Sequence, residues 1–419
     1  MATEISDMSR SEPLKAGVFG TNLEQAKEHN LRAVIDALRR HGALTRAEIT
    51  RATALSVQTI SNLVAELEQR GLLIAGEPQK AKRGQPAKPY FLNPEGGYSI
   101  GIQMDHQLVL AKLVNMAGVE CLEIQKSISR PSPEEGLEIF AEMVEQLLAK
   151  TRVDSGKVFG VGIAIPGPYG ISGPTGVGPG WVDFPIEQRL GEKIGLPVRV
   201  ENDANAAAIA ERLHGEGKKF DTFLYVFIGM GLGAGLFLNG QIYHGVRGAA
   251  GEIGHIIVEP EGRLCDCGNR GCLERYVSLC AAYEAIGETQ EKHRSPEQLE
   301  KLLDQKDPAF MGWLTEAAEK LRRGIHALES IFDPEVIFIG GLLPPKITRA
   351  LVDMLIPPLP SVVSQLKPQE ERILLGISAP SAPAQGAASV PIFYEFNIER
   401  QSVSQAASQS LSRKVLGSS

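Results

Sequence analysis

The chain has 419 residues, 43 % hydrophobic and 22 % charged, with five cysteines; this is length for two or three globular domains and excludes a disulfide scaffold. With no apolar run of about 18 residues and no apolar core in its N-terminal segment, neither a membrane span nor a secretory signal is expected, and the cytoplasm is the expected compartment. The net charge of −7 is uneven: residues 21–93 carry 11 Lys/Arg against 7 Asp/Glu, or +4, leaving −11 elsewhere, so a basic front on an acidic body points to an N-terminal module facing a polyanion.

Residues 1–20 lack periodicity and are expected to form a flexible arm. Leu31, Val34, Ile35 and Leu38 have helical spacing, and His41-Gly42 ends that helix. Thr45 and Glu48 form a capping box that starts a second short helix, which stops before Leu55. Ser56 can cap a third, with Val57, Ile60, Val64 and Leu67 on its buried face and Gly71 at its end. Two short apolar runs around a basic, Pro- and Gly-rich tip then read as a β-hairpin wing. Three short helices and a wing make a winged helix-turn-helix over residues 21–94, with the third helix as the reading helix. Gln58, Thr59, Ser61 and Asn62 face out from it, short polar groups able to bond base edges or phosphates. Lys80, Lys82, Arg83 and Lys88 put charge on the wing. The alternative is a winged helix that docks protein; polar reading residues together with a basic wing favour DNA.

Asn93–Gly97 is a turn cluster, after which the pattern becomes β. Strands are predicted at Tyr98–Met104, Leu108–Asn115 and Val119–Ile128, a helix at Glu134–Lys150, and a strand at Val158–Ile165. A similar order returns: strands at Phe223–Ile228 and Gly233–Leu238, a third near Ile242, a helix from about Met311 to Phe332, and a strand at Val336–Ile339 that ends in Gly340-Gly341. Strands, helix and strand, twice over, predict two related lobes with a ligand cleft between them. The first spans 95–202 and the second 203–383, with 401–419 a flexible tail.

The densest chemical signal is Gly248–Arg275, which holds His255, Cys265, Cys267 and Cys272. Three thiolates and one imidazole are an accepted structural zinc set, and Gly268 and Gly271 give the short loop the freedom to wrap. Buried free thiols are the alternative; cysteines this clustered beside a histidine favour one structural zinc per chain. Cys121 and Cys280 lie apart and are expected in the core. Glu201-Asn202-Asp203 joins a predicted strand to an Ala-rich helix, where it is either an N-cap or part of a site. Glu252 and Glu274 flank the zinc loop and can complete a polar ring with it; carboxylates and an amide in one cleft suit a polyol. The glycines of Gly229–Gly235 serve either a phosphate cradle or a tight strand reversal. Trp181 shapes a pocket or belongs to the core.

These residues resemble the ROK family, named for repressors, open reading frames and kinases of sugar metabolism. GEIGH at 251–255, CDCGNRGCLE at 265–274 and END at 201–203 carry the resemblance, which covers about residues 22–396. The winged helix matches the family's repressor branch. The resemblance implies an α/β two-lobed actin-like ATPase (ribonuclease H-like) fold behind the winged helix-turn-helix, with residues 384–400 returning to the first lobe; Pro391 there is a departure. It implies that Asn202, Asp203, Glu252, His255 and Glu274 contact a sugar, with His255 binding zinc through one ring nitrogen and facing the sugar with the other. The family's kinases use the residue matching Asp203 as general base, and their first phosphate loop reads like G-I-D-I-G-G-T. Here Gln103 replaces the acidic residue, and Asp105 and His106 replace two glycines. A carboxylate there opposes nucleotide phosphate, so kinase activity is not expected.

The expected function is thus a sugar-responsive transcriptional regulator, a repressor of carbohydrate uptake or catabolism genes. Its partners are a near-palindromic double-stranded DNA operator, a sugar or sugar-derivative effector, and other copies of itself in a homodimer or tetramer, with no membrane. The alternatives are an ATP-dependent sugar kinase with a DNA-binding head, and a regulator sequestered by a protein partner.

Overall fold

The computed structural model describes residues 23–78, 87–104, 108–128, 131–165, 180–181, 184–289, 294–366 and 371–396. The flexible-arm and tail expectations lie outside these residues, as do Lys80, Lys82, Arg83, Asp105 and His106.

The chain begins with α1 (Leu23–His41), β1 (Leu44–Thr45), α2 (Arg46–Thr53), α3 (Val57–Gln69), β2 (Leu73–Ala75) and β3 (Pro89–Leu92). Their local causes are visible. The Glu48 carboxylate accepts the Thr45 N–H at 2.8 Å while Thr45 Oγ1 accepts the Glu48 N–H, a reciprocal capping box. Ser56 Oγ accepts the Thr59 N–H at 3.1 Å and starts α3. Leu31, Val34, Ile35, Leu38, Ile49, Ile60, Leu63, Val64 and Leu67 close the head's core. One expectation is corrected: Leu63, not Val57, belongs to the buried stripe of α3. Val57 is 69 % exposed, because as the first residue of α3 it lies past the edge of the core. The wing strands join the sheet β1-β3-β2.

Next come β4 (Tyr98–Met104), β5 (Leu108–Asn115), β6 (Glu120–Ser127), α4 (Pro133–Thr151), β7 (Val158–Ile165), α5 (Ile186–Ile194), β8 (Val198–Asn202) and α6 (Asp203–His214). They are followed by β9 (Phe223–Ile228), β10 (Leu232–Leu238), β11 (Gln241–Ile242), α7 (Glu274–Val277), α8 (Leu279–Ala285), α9 (Pro296–Gln305) and α10 (Pro308–Phe332). The chain closes with β12 (Val336–Gly341), α11 (Pro345–Leu355), α12 (Val362–Leu366), β13 (Ile373–Ser378) and α13 (Ala382–Phe396). The body's two five-stranded sheets have one plan. Their orders are β6-β5-β4-β7-β8 and β11-β10-β9-β12-β13, each an antiparallel meander extended by two parallel strands. The repeated element order of the sequence is therefore a repeated topology.

α13 packs on β4 and β7 of the first sheet, where glycines let it approach. A Cβ on Gly101 would overlap the Ala384 carbonyl oxygen, and one on Gly162 the Ala387 carbonyl oxygen. Pro391 is buried inside α13 with its ring against Gly160 and Gly162. The helix loses a backbone hydrogen bond there, and the ring fills the lane the glycines leave. Ala-rich α6 packs between α13 and β10, meeting Gly386 through Ala206 and Gly235 through Ala204 and Ala208.

Trp181 is a core residue, 3 % exposed beside Phe140 and Phe184, with its indole N–H donating to the Pro131 carbonyl at 3.2 Å. Cys280 is buried, but Cys121 is exposed, correcting the expectation that both lie in the core. Cys121 is on β6, an edge strand with exposed positions along its length. Among the described residues no helix is long and apolar enough to cross a membrane.

Candidate functional site

After β11 the chain turns through residues 243–273 with little regular structure. Bridges Ile257↔Cys272 and Leu264↔Arg270 fold it into a loop. Gly268 and Gly271 have φ of +89° and +75°, and a Cβ on Gly271 would overlap the Glu259 carbonyl; glycine is required there. The wrap brings His255, Cys265, Cys267 and Cys272 together, with one donor atom from each lying within 4.8 Å of all the others. Cys265 Sγ is 3.6 Å from His255 Nδ1, and Cys267 Sγ is 3.6 Å from Cys272 Sγ. Four donors around a tetrahedral ion with bonds near 2.3 Å would stand about 3.8 Å apart. The cluster therefore fits a metal in donor type and spacing.

His255 turns its other nitrogen away from the thiols. Nε2 lies 3.8 Å from Glu252 Oε2. Burial pushes the Glu252 carboxyl up to about 7, the charges of Asp203 and Glu274 adding to the rise and His255 opposing it. Asp203 opens α6, and burial raises its carboxyl to about 7 against the hydrogen bond it accepts from the Ala204 N–H. Glu274 opens α7, and its Oε2 accepts the Leu232 N–H at 3.0 Å. Asn202 is the N-cap of α6, accepting from Ala204 and Asn205 N–H at 2.9 and 3.3 Å, which leaves its amide N–H₂ for a ligand. With Glu252 feeling the charges of the other two, and Glu252 and Asp203 poised between acid and anion near neutral pH, the group can both accept from and donate to the hydroxyls of a polyol.

Glu201, adjacent to this ring, has a role the sequence did not expose. Its Oε1 accepts from the Asn202 N–H and Asn205 Nδ2, both at 3.0 Å, and its Oε2 from His244 Nε2 at 3.0 Å and the Tyr394 hydroxyl at 3.1 Å. It thus joins β8, α6, the loop after β11 and α13. His244 and Tyr394 had no local motif to mark them.

The glycine run is largely a strand reversal. Gly229 N–H donates to the Gly231 carbonyl at 3.0 Å, and Gly233 and Gly235 are in register with Phe227 and Tyr225 inside the sheet. Gln103 lies on β4 between Leu110 and Ala164. Its Oε1 is buried with no hydrogen-bond partner among the described residues.

On α3, Gln58 and Asn62 are exposed and Thr59 and Ser61 half-exposed. Gln58 Nε2 donates to Asn62 Oδ1 at 3.1 Å, and the Ser61 hydroxyl donates back to the Val57 carbonyl at 2.9 Å. Lys88 is exposed at the described base of the wing.

The ROK family profile matches residues 100–391 and a MarR family profile residues 33–84. The xylose repressor of Bacillus subtilis (strain 168) is 28 % identical over 369 residues, covering 87 % of this chain and 95 % of that protein. The glucokinase of Halalkalibacterium halodurans is 36 % identical over 221 residues, 48 % of this chain and 66 % of that protein. A crystal structure of a ROK family transcriptional regulator, a homologue of the E. coli MLC protein, superposes with a TM-score of 0.66 over 89 % of this chain and 98 % of that one, at 24 % identity.

Proposed function

This chain belongs to the ROK family, and from that premise we propose that it is a sugar-responsive transcriptional repressor, acting in the cytoplasm on genes of carbohydrate uptake or catabolism. The observation that carries this is a single helix. α6 begins at Asp203 in the carboxyl ring and ends at Arg212 and His214 against the winged helix. Its 12 residues span about 18 Å at 1.5 Å per residue.

In this reading the sugar is held by Asn202, Asp203, Glu252, His255 and Glu274. Zinc is held by His255 Nδ1 and the thiolates of Cys265, Cys267 and Cys272. When bound, it supplies fixed charge and rigidity rather than reactivity. The protein's own groups do the recognition: Glu252 and Asp203 exchange hydrogen bonds with hydroxyls, and the Leu232 N–H orients Glu274. Gln58, Thr59, Ser61 and Asn62, with Lys82 and Arg83 on the wing, read and grip DNA. Two heads in a homodimer or tetramer would fit a near-palindromic operator. Sugar shifts the head only through unequal affinity for the DNA-bound and free arrangements.

The test is operator release. D-xylose, suggested by the name of the B. subtilis relative, is the first sugar to try, with D-glucose second. Fluorescence anisotropy should show sugar lowering operator affinity in the parent protein but not in Glu252→Ala. Full release in Glu252→Ala would place the sensor elsewhere.

One observation favours a kinase reading: the Asp203 carboxyl, raised to about 7, is suited to a general base. Against it stand Gln103, Asp105 and His106 in the phosphate loop. ADP formation from Mg-ATP and sugar, lost in Asp203→Asn, would establish it.

A further inference from the structure

Val57 is the first residue of α3. At 69 % it is the most exposed large apolar side chain among the described residues of the winged helix, ahead of Ile74 and Phe91 on the wing strands. α2 ends at Ala54, which takes a left-handed φ of +56°, and Ser56 caps the helix that follows. Ser56, Val57 and Gln58 are exposed in succession, so this end of α3 projects from the head.

Exposure by itself means little, since single apolar side chains are common on protein surfaces. The neighbours give it weight. Ser56 Oγ and Thr59 Oγ1 are bonded to each other at 2.8 Å, the Ser61 hydroxyl donates back to the Val57 carbonyl at 2.9 Å, and Gln58 Nε2 donates to Asn62 Oδ1 at 3.1 Å. The polar groups around Val57 thus have partners at this end of the helix, whereas the valine methyls lie open to solvent. A β-branched side chain is also stiff about χ1, so it holds its methyls in a fixed place and gives up little freedom when they are covered.

A reading helix meets base edges through its N-terminal residues. Those edges are lined with donors and acceptors, and the apolar group among them is the C5-methyl of thymine. Against a phosphate, Val57 would strip water from a charge and put nothing in its place; against a thymine methyl, each group covers the other. We propose that Val57 determines part of the operator sequence by packing its methyls on a thymine methyl in the major groove, beside the base that Gln58 meets. This rests on the reading of α3 as the helix that enters the groove.

The test uses the full chain and the duplex it enriches most from a random-sequence library. Each thymine of that duplex is replaced in turn by deoxyuridine, which keeps the base pair and removes the methyl alone. Anisotropy titrations should find a thymine whose replacement weakens the parent protein about fourfold, the worth of one methyl taken out of water. Val57→Ala should bind the thymine duplex more weakly by about that factor, or more, and should be indifferent to uracil at the same position. Its thermal midpoint should match the parent's, as suits an exposed residue. Three results overturn the proposal while DNA binding stands: no thymine whose methyl matters, full affinity in Val57→Ala, or the same loss in Val57→Ala on thymine and uracil duplexes. A parent chain that enriches no duplex overturns the DNA reading itself, and the role of Val57 falls with it.

Discussion

Arg212 on α6 donates from Nη2 to Oδ1 of Asp36 on α1 at 2.9 Å, an ion pair that ties the winged helix to the body. Asp36 Oδ2 accepts from Arg40 Nε at 2.7 Å, and Arg40 Nη2 reaches Asp221 at 2.6 Å. The Arg212 side chain is 5 % exposed and that of Asp36 24 %. Removing the acid strands a buried guanidinium, which costs 3–5 kcal/mol when a pair is fully buried. With Asp36 partly wet, Asp36→Ala should cost about 2–3 kcal/mol. It should also uncouple the two ends of α6: sugar still binds, measured by calorimetry, but the sugar-dependent change in operator affinity shrinks toward none. A full response in Asp36→Ala would mean that the signal does not travel through this contact.

The Cys/His cluster predicts a metal stoichiometry. Elemental analysis of the purified chain should find close to one zinc per protomer, and Cys272→Ser should lose it. Because His255 stands between the thiols and Glu252, metal loss should also weaken sugar binding, by about 10–100-fold on the scale of lost supporting contacts at metal sites. Sugar affinity unchanged after chelation would show that the loop holds the ring without the ion.

Periodic and local signals were legible in the sequence. The capping box at Thr45, the stripe Leu314, Ala317, Leu321, Ile325 and Leu328 of α10, and strand β7 each depend on neighbours a few residues apart. The same holds for the Cys/His cluster, because three of its four residues lie within eight positions. Long-range polar pairing was not legible. Arg212 meets Asp36 across 176 residues and Tyr394 meets Glu201 across 193, and no pattern within a window marks such partners. Val57 was misassigned because helical spacing alone does not reveal where a core ends.

Gln58 and Asn62 stand exposed and joined on α3, and in the proposed reading role of that helix they would meet one base together. Gln58→Ala should weaken operator binding by about 10–100-fold, the 1–3 kcal/mol of a good base contact, and relax preference at one base position. The dependence of affinity on salt should not change, since no phosphate contact is lost. Lys88→Ala should do the opposite, weakening all DNA alike and lowering the salt slope by about one. Anisotropy titrations at several salt concentrations separate the two. Equal losses on operator and unrelated DNA in Gln58→Ala would remove α3 from the reading role.

The Glu201–His244 pair gives stability a defined pH dependence. Its hydrogen bond to Glu201 raises His244 above 6.5, although burial opposes this. Burial pushes the Glu201 carboxyl up, but His244, Asn205 and the Asn202 N–H outweigh it and hold it below 4.5. The histidine's contribution is complete below pH 6.5 and is lost as pH rises through its raised value. The glutamate's is complete above pH 4.5 and is lost as pH falls through its lowered value. The pair therefore stabilises most between those limits. Asp203 acts in the sense of His244 and against that of Glu201: raised from 3.8 to about 7, it favours the fold when protonated, and its contribution declines as pH climbs through those values. At pH 7 Asp203 is only half ionised, and with Glu252, also raised to about 7, its decline runs on above that pH, so the part due to His244 is read as the difference between the parent and a variant. His244→Gln should flatten the fall in melting temperature as pH rises from 6.5 through the raised value of the histidine, leaving the profile near pH 5 lower overall. An identical slope in the variant over that interval would show that the imidazolium does not hold Glu201 in the folded chain.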